Sequence, residues 1–455
     1  MISDVFVYSE ISQRTMRKDW LTIGVDEDVN DRDNHRICHE KLVNEVSRIL
    51  GNYLQRIFSS RFDTSGNLSI SHTKAQKQLD EYVSFIASKY RDVGYHSVKH
   101  AVHVTISMNK MISMIEESVL CNVDCTCGND SDDDFMNCSA KKNKNDKKFR
   151  KLSWQGPGMT RTENICDLQD ANLSTCSPAC MIAKCPLLQF ATVFAAFVHD
   201  VDHVGVPNRQ LVEEGNQLAI LYNDQSVAEQ HSIYVALSTL SEDRFSDFYK
   251  MVAPTSVDRA LFRRLVIDMV LCTDIASPER LQIGMSKWKS AFVTPTEVVM
   301  PPSRRHTIDF SIDDGSLIDL GIKYALNLDG RLVKESPQGL KVASILEQIM
   351  QAVDVAHTMQ SWENFVKWNT RLFIELNDAH VSGRGDDPAS NWFNGQIGFF
   401  DFYVIPLAKR LQQSGVFGIA GDSFVENAVN NKTRWQKDGM MITNNILDNV
   451  CKKAR

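Results

Sequence analysis

Apolar residues recur every three to four positions along most of the chain, the period of one helical face. Between residues 33 and 58 the pattern runs through Leu42, Val43, Val46, Ile49, Leu50, Leu54 and Ile57, with Gly51 as its weak point. A second helical stretch carries Leu79, Val83, Ile86 and Tyr90, breaks near Gly94, and resumes at Val102, Ile106, Met108 and Ile112. Periodic sequence returns at Pro186 and persists through Phe245 to Leu271, with Val257, Leu261, Leu265 and Ile267 among the expected core positions. It recurs from Leu340 to Leu376 and from Phe399 to Leu411. Two stretches interrupt it. Residues 118–185 hold an acidic cluster (Asp130, Asp132, Asp133, Asp134), then Lys141, Lys142, Lys144, Lys147 and Lys148, with few apolar residues, and read as an exposed, partly disordered insertion. Residues 294–337 hold Pro295, Pro301, Pro302 and Pro337 and read as a second, loop-like one. Strand-type alternation is scarce and no internal repeat is present. The pattern predicts an all-α bundle with two insertions: a helical extension over 1–70, a main body over 71–415 and a helical tail over 416–455.

A chain of 455 residues with 43% apolar composition can bury a large core, as one helical domain or as several smaller ones. Its formal charge of −7 is small for this length, which speaks against a nucleic-acid-binding surface. The opening Met1-Ile2-Ser3-Asp4-Val5 lacks the order of a signal peptide, and no apolar stretch reaches the ~20 residues that span a bilayer. The expectation is a soluble, cytoplasmic protein with no integral membrane segment, a monomer or weak dimer. Eight of the eleven cysteines fall between Cys121 and Cys185, so reduced thiols are expected in the absence of a secretion signal.

The densest chemistry lies in His199-Asp200-Val201-Asp202-His203, directly behind the apolar run Leu187 to Val198. A carboxylate at the end of so apolar a segment needs a cation or a donor to meet it, and a divalent metal meets it most simply. His96 and His100 stand four apart, so on a helix they share a face. Alone such a pair is more often structural, but one histidine from there plus His199 and Asp200 supplies three ligands for a catalytic zinc. Asp354, an acid within an apolar helical stretch, is the best fourth; its ordinary alternative is a capping or salt-bridged Asp. Glu229 and Thr273-Asp274 are candidates to orient ligands and waters.

In order and spacing these motifs resemble the catalytic domain of class I 3′,5′-cyclic nucleotide phosphodiesterases, a branch of the HD metal-dependent phosphohydrolases. The resemblance rests on Tyr95-His96 through His100-Ala101, on His199 to His203 with Gly205 and Asn208, and on Tyr222-Asn223-Asp224 through Glu229 and His231. Thr273-Asp274, Asp354 and Gln396-Ile397-Gly398-Phe399 complete it. Ala219 to Asp224, His357, and Gln396 to Phe402 look most like the calcium/calmodulin-dependent, dual-specific subgroup. The resemblance implies a compact multi-helix HD-type bundle that opens the cyclic phosphate of cAMP, cGMP or both. His100, His199, Asp200 and Asp354 would hold zinc, and Asp200 would bridge to a second metal, magnesium or manganese. Two such cations allow hydroxide to form near neutral pH and attack phosphorus. His96 matches the family's general acid, while His203, Glu229 and Thr273 would steady waters around the metals. Gln396 can pair with either purine, Phe399 offers a stacking face, and Leu372 and Leu376 resemble the opposite wall; Tyr95 and His357 complete the substrate-binding set. A non-catalytic nucleotide sensor and a phosphohydrolase for another phosphoester are the alternatives; the complete ligand set and the Gln396-Phe399 pair argue against them.

Departures from the family pattern leave every ligand in place. Ser97 stands where Asn is usual, His103 where Asp is usual, Val204 where Pro usually follows, and Glu229-Gln230-His231-Ser232 where the run usually reads glutamate-asparagine-histidine-histidine. His103 is expected to be a packing or hydrogen-bonding replacement. The cysteines of the first insertion lack the regular spacing of zinc knuckles and predict a surface excursion in preference to a structural metal site.

Overall fold

The computed structural model describes residues 32–62, 71–121, 176–293, 325–326, 332–333 and 337–453. From the N-terminus, α1 (Arg32–Phe62) and α2 (His72–Ala87) pack side by side, followed by α3 (Val98–Cys121). Gly51 does not break α1. A Cβ there would stand 2.9 Å from the side-chain amide of Gln76 on α2, the flexible end of a residue that can move aside. Two short helices meet at a bend of 84°: α4 (Pro178–Lys184) and α5 (Pro186–Val198). Each begins with proline at its first position, where the missing N–H costs nothing.

The expected boundary of the first insertion is corrected here. Helical structure reaches Cys121, and α4 lies inside the span read as a loop, because Ser177 caps it and Cys180, Met181 and Ile182 bury its inner face. The cysteines and charge run of residues 122–175 lie outside the described residues, as do 294–324, 327–331 and 334–336. Within the second expected insertion, Ala325–Leu326 and Leu332–Val333 pair as a two-stranded antiparallel ladder.

Helix α5 is the centre of the molecule. Every side chain from Leu187 to Val198 is buried, which is what a helix apolar on all sides requires. Phe190 and Phe194 meet Phe262 and the aromatic cluster of Tyr82, Phe245 and Phe248, and the Tyr82 hydroxyl donates to the carbonyl of Ala236. Around it come α6 (Asn208–Glu213), α7 (Gln217–Leu221), α8 (Val227–Leu240), α9 (Ser246–Val252), α10 (Ser256–Leu271) and α11 (Pro278–Phe292). A capping box, Thr255 with Asp258, starts α10, and Ser277 with Pro278 starts α11.

The single pattern read from Leu340 to Leu376 is two helices. α12 (Pro337–Asp354) stops at Asp354, a 3-10 turn spans Ala356–Met359, and Ser361 caps α13 (Trp362–Val381). Next, α14 (Trp392–Phe399) runs through a π-helical turn, Phe400–Val404, into α15 (Ile405–Ser414), which ends on left-handed Gly415; α16 (Asp422–Lys453) closes the described chain. Val46 and Leu50 of α1 and Trp435 of α16 belong to the same hydrophobic cluster as α5. No single helix among the described residues is long and apolar enough to cross a membrane; α4 and α5 pass that test only as a bent pair, and α5 is buried.

Candidate active site

Three helix C-termini converge on one cavity of about 670 Å³. His199 and Asp200 follow α5, Thr273 and Asp274 follow α10, and Asp354 is the last residue of α12. His100, from the first turns of α3, joins them. His96 is not on that helix but in the break that the periodicity shows near Gly94, so the helical face the two histidines would share if both were helical does not form. It lies in the turn before Val98, where Ser97 N–H bonds back to the carbonyl of Tyr95 at 2.7 Å. Gly94 makes that turn possible: a Cβ there would sit 2.9 Å from the carbonyl oxygen of Arg371 on α13.

One ligand atom from each of His100, His199, Asp200 and Asp354 lies within 4.8 Å of every other. His100 Nε2 is 3.0 Å and His199 Nε2 3.3 Å from Asp354 Oδ1, and His199 Nε2 is 3.0 Å from Asp200 Oδ2. The donor set fits a divalent metal. His199 Nδ1 donates to the carbonyl of Ala196, so its Nε2 presents a lone pair towards two carboxylates, and a cation resolves that confrontation. In its absence burial lowers the pKa of His199, but Asp200 and Asp354 outweigh burial and hold it well above the ordinary value. Burial dominates at His100, which is lowered. Burial likewise works against ionised Asp200 and Asp354, yet the neighbouring histidines keep both carboxylates below the usual range.

A second group faces the first. His96 Nδ1 lies 2.5 Å from Glu375 Oε1, while Glu375 Oε2 accepts the backbone N–H groups of Tyr95 (2.7 Å) and His96 (2.9 Å). Burial would lower His96, but Glu375 and then Asp200 lift it to about 9; Glu375, against its own burial, is held at about 2. His203 stacks on His96 with ring centroids 3.9 Å apart and accepts Gly205 N–H at Nδ1, so its own proton sits on Nε2. Burial and the charge of His96 push His203 down to about 4.

Glu229 is half-buried near Asp274 and raised to about 7, desolvation acting first and Asp274 next, while Asn208 donates to its carboxylate at 2.9 Å. Thr273 lines the same side, its hydroxyl donating to the carbonyl of Val270. The unusual Ser232 donates to the carbonyl of Val201 and so braces the turn between Asp200 and Asp202. Asp202 adopts left-handed backbone (φ +65°), held there by Arg91 at 2.7 Å and His231 at 2.8 Å. His103 is buried beside Trp368, bonds Gln360 Oε1 at 2.9 Å, and is pushed to about 3, mainly by burial; it is a neutral hydrogen-bonding replacement.

The far end of the cavity is apolar. Leu372 and Leu376 of α13 line one side and Gln396 and Phe399 of α14 another, with Tyr95 and His357 nearer the metal-ligand cluster. All the candidate residues named from sequence therefore line the cavity or lie in the cluster at its base. Sequence reasoning missed Glu375 and Asn369. Both fall on the face of α13 that carries Trp368, Leu372 and Leu376, and a polar residue on that buried face was the available signal.

A family model described as 3′5′-cyclic nucleotide phosphodiesterase matches residues 183–415. A Caenorhabditis elegans protein named probable 3′,5′-cyclic-AMP phosphodiesterase pde-4 is 42% identical over 229 residues, which are 48% of this chain and 28% of that one. Mouse 3′,5′-cyclic-AMP phosphodiesterase 4C is 24% identical over 249 residues, 53% of this chain and 31% of its own. The matched regions thus span about a third of those relatives' lengths. Among solved structures, the phosphodiesterase domain of the RhoPDE fusion protein from Salpingoeca rosetta superposes with a TM-score of 0.53 at 18% identity, covering 94% of this chain and 97% of that one. LmjPDEB1 in complex with IBMX gives 0.53 at 16% identity, covering 88% and 87%. At these identities the structures share the fold.

Proposed function

Because the chain belongs to the 3′,5′-cyclic nucleotide phosphodiesterase family, whose model matches residues 183–415, we propose that it hydrolyses cyclic nucleotides to 5′-monophosphates, with His96 as general acid. The observation that carries this reading is the pairing of the four-residue cluster with a histidine that is itself held by Glu375. His100, His199, Asp200 and Asp354 would hold zinc, with magnesium or manganese beside it at Asp200. These cations supply Lewis acidity that ionises water near neutral pH and offsets charge on the phosphoryl oxygens.

The protein's own groups do the rest. As the water oxygen bonds to phosphorus, the bond from phosphorus to O3′ breaks, and O3′ needs a proton. Glu375 fixes Nδ1 of His96, which leaves Nε2 to deliver that proton, and the raised pKa keeps it present at neutral pH. His203, Glu229 and Thr273 orient waters at the base of the cavity. Gln396 pairs with the base edge, Phe399 stacks on the ring, and Leu372 and Leu376 close the other face, with Tyr95 and His357 completing the wall.

The named relatives are cyclic-AMP phosphodiesterases, so cAMP is the first substrate to test. The likeness of residues 219–224, His357 and 396–402 to the calcium/calmodulin-dependent, dual-specific subgroup makes cGMP the second. A catalytic unit over 71–415, a cytoplasmic location and a monomeric or weakly dimeric state belong to the same proposal. The test is release of 5′-AMP and 5′-GMP by purified protein with zinc and magnesium, beside Asp200→Asn. Turnover that collapses in the variant supports the reading. Absence of turnover with metal-independent nucleotide binding would favour a sensor, and absence of both another phosphoester.

A further inference from the structure

The apolar end of the cavity is built from two helical faces. On α13, Asn369, Leu372 and Leu376 fall at spacings of three and four; on α14, Trp392, Gln396 and Phe399 do the same. All six line the cavity. Two carboxamides therefore reach one slot, and they are held differently. The Gln396 amide makes no hydrogen bond with any described residue, so it can turn to suit the ligand. Asn369 cannot. It is 2% exposed, and its Oδ1 accepts the indole N–H of Trp392 at 3.1 Å. An indole nitrogen only donates, which fixes the oxygen of Asn369 towards Trp392 and its NH2 away from it. That NH2 is bonded to no described residue and is not sealed from solvent, and Asn369 lines the cavity.

We propose that Asn369 is a specificity-determining residue: an orientation-locked donor to a purine ring nitrogen that Gln396 leaves unpaired. This rests on the cyclic-nucleotide reading. The lock comes from the helix that carries Gln396, since Trp392 stands one turn before it. Trp392 is itself seated edge-on against Phe373 at 5.2 Å, so the donor's direction is set by packing and does not adjust to the ligand. A donor that cannot turn pairs only with an acceptor placed in its one direction and is left unpaired, at a cost, when that acceptor is missing.

The test uses the full chain with both metals and a series of cAMP analogues in which ring nitrogen 1, 3 or 7 is replaced by C–H. Wild type should lose about tenfold in kcat/KM at two separate ring positions, one read by Gln396 and one by Asn369. Asn369→Asp keeps the acceptor for Trp392 and removes the donor. It should raise KM for cAMP about tenfold, move kcat less than about threefold, and abolish the loss at one ring position only. A purely structural Asn369 would lower the melting temperature and leave KM and the analogue pattern as they are, which overturns the assignment. Sensitivity at one ring position or none in the wild type overturns it even if the variant does not fold. Wild type that turns over no cyclic nucleotide at all overturns the underlying functional reading instead.

Discussion

The substitution Glu375→Gln isolates the contact on which proton donation depends. His96 stands at about 9 against an ordinary 6.5. At 1.36 kcal/mol per pKa unit the protonated form is favoured by roughly 3 kcal/mol, with Glu375 the largest favourable contribution and Asp200 and Asp354 the rest. The substituted amide would still accept the Tyr95 and His96 N–H groups through its oxygen, but it would turn an NH2 towards His96 Nδ1. The acid form of His96 then loses its counter-charge, and the alkaline limb of kcat/KM should move down by about one to two pH units. At pH 8 the loss should be about two- to tenfold, shrinking towards pH 6. Stability follows the same linkage. Because the folded pKa is raised, the contribution of His96 is fully present below 6.5 and is lost as pH rises through about 9. Because Glu375 is depressed, its contribution is present above 4.5 and is lost as pH falls through about 2. These are one interaction seen from two ends, at full strength between pH 4.5 and 6.5. The assay is kcat/KM from pH 5 to 10 at fixed metal, with melting temperatures over the same range. Cations shift both enzymes alike, so the difference between them is the measurement. An alkaline limb that stays in place would refute the assignment of His96 as the acid held by Glu375.

Asp354→Asn should lower zinc content per chain, measured by elemental analysis, and reduce turnover at least a hundredfold, because the oxygen facing both His100 and His199 is weakened as a ligand. Gly94→Ala should cost about 1 to 3 kcal/mol in denaturant melts and lower kcat as well, since the added methyl meets the backbone of Arg371 and Glu375 and forces the Tyr95-His96 turn off α13. Tyr403→Phe should leave stability unchanged or raise it by about 1 kcal/mol, because the hydroxyl is buried with no partner among the described residues while the ring remains stacked on Phe399.

How much could be read from the chain depended on the kind of residue. His199 and Asp200 behind an apolar run were legible because that chemistry has few innocent explanations, and Asp354 was legible beside them as an acid within an apolar helical stretch. Glu375 was not legible. A glutamate in an amphipathic helix ordinarily faces water, and its partner His96 lies 279 positions away, a pairing that only the folded chain creates. Asn369 was hidden for the same reason, since its meaning depends on the indole of Trp392. Periodicity showed the break near Gly94 but not that α3 starts at Val98, between His96 and His100. Helix α4 escaped because seven residues are too short for the period to register.

The convergence of α5, α10 and α12 on the cavity sets an order of events. Each helix presents its C-terminal end there, and such an end carries the equivalent of about half a negative charge. Asp200, Asp274 and Asp354 stand at those same ends, so without cations they and the three helix ends outweigh the charged His96 and His199, and the chamber would disfavour the phosphate of the proposed substrate. Metal and nucleotide should therefore bind with strong positive coupling: chelated protein should show little affinity for any cyclic nucleotide, and nucleotide should slow the loss of metal. On the proposed reading, the field of the fold would make the cation a condition of substrate entry as well as of the chemistry that follows.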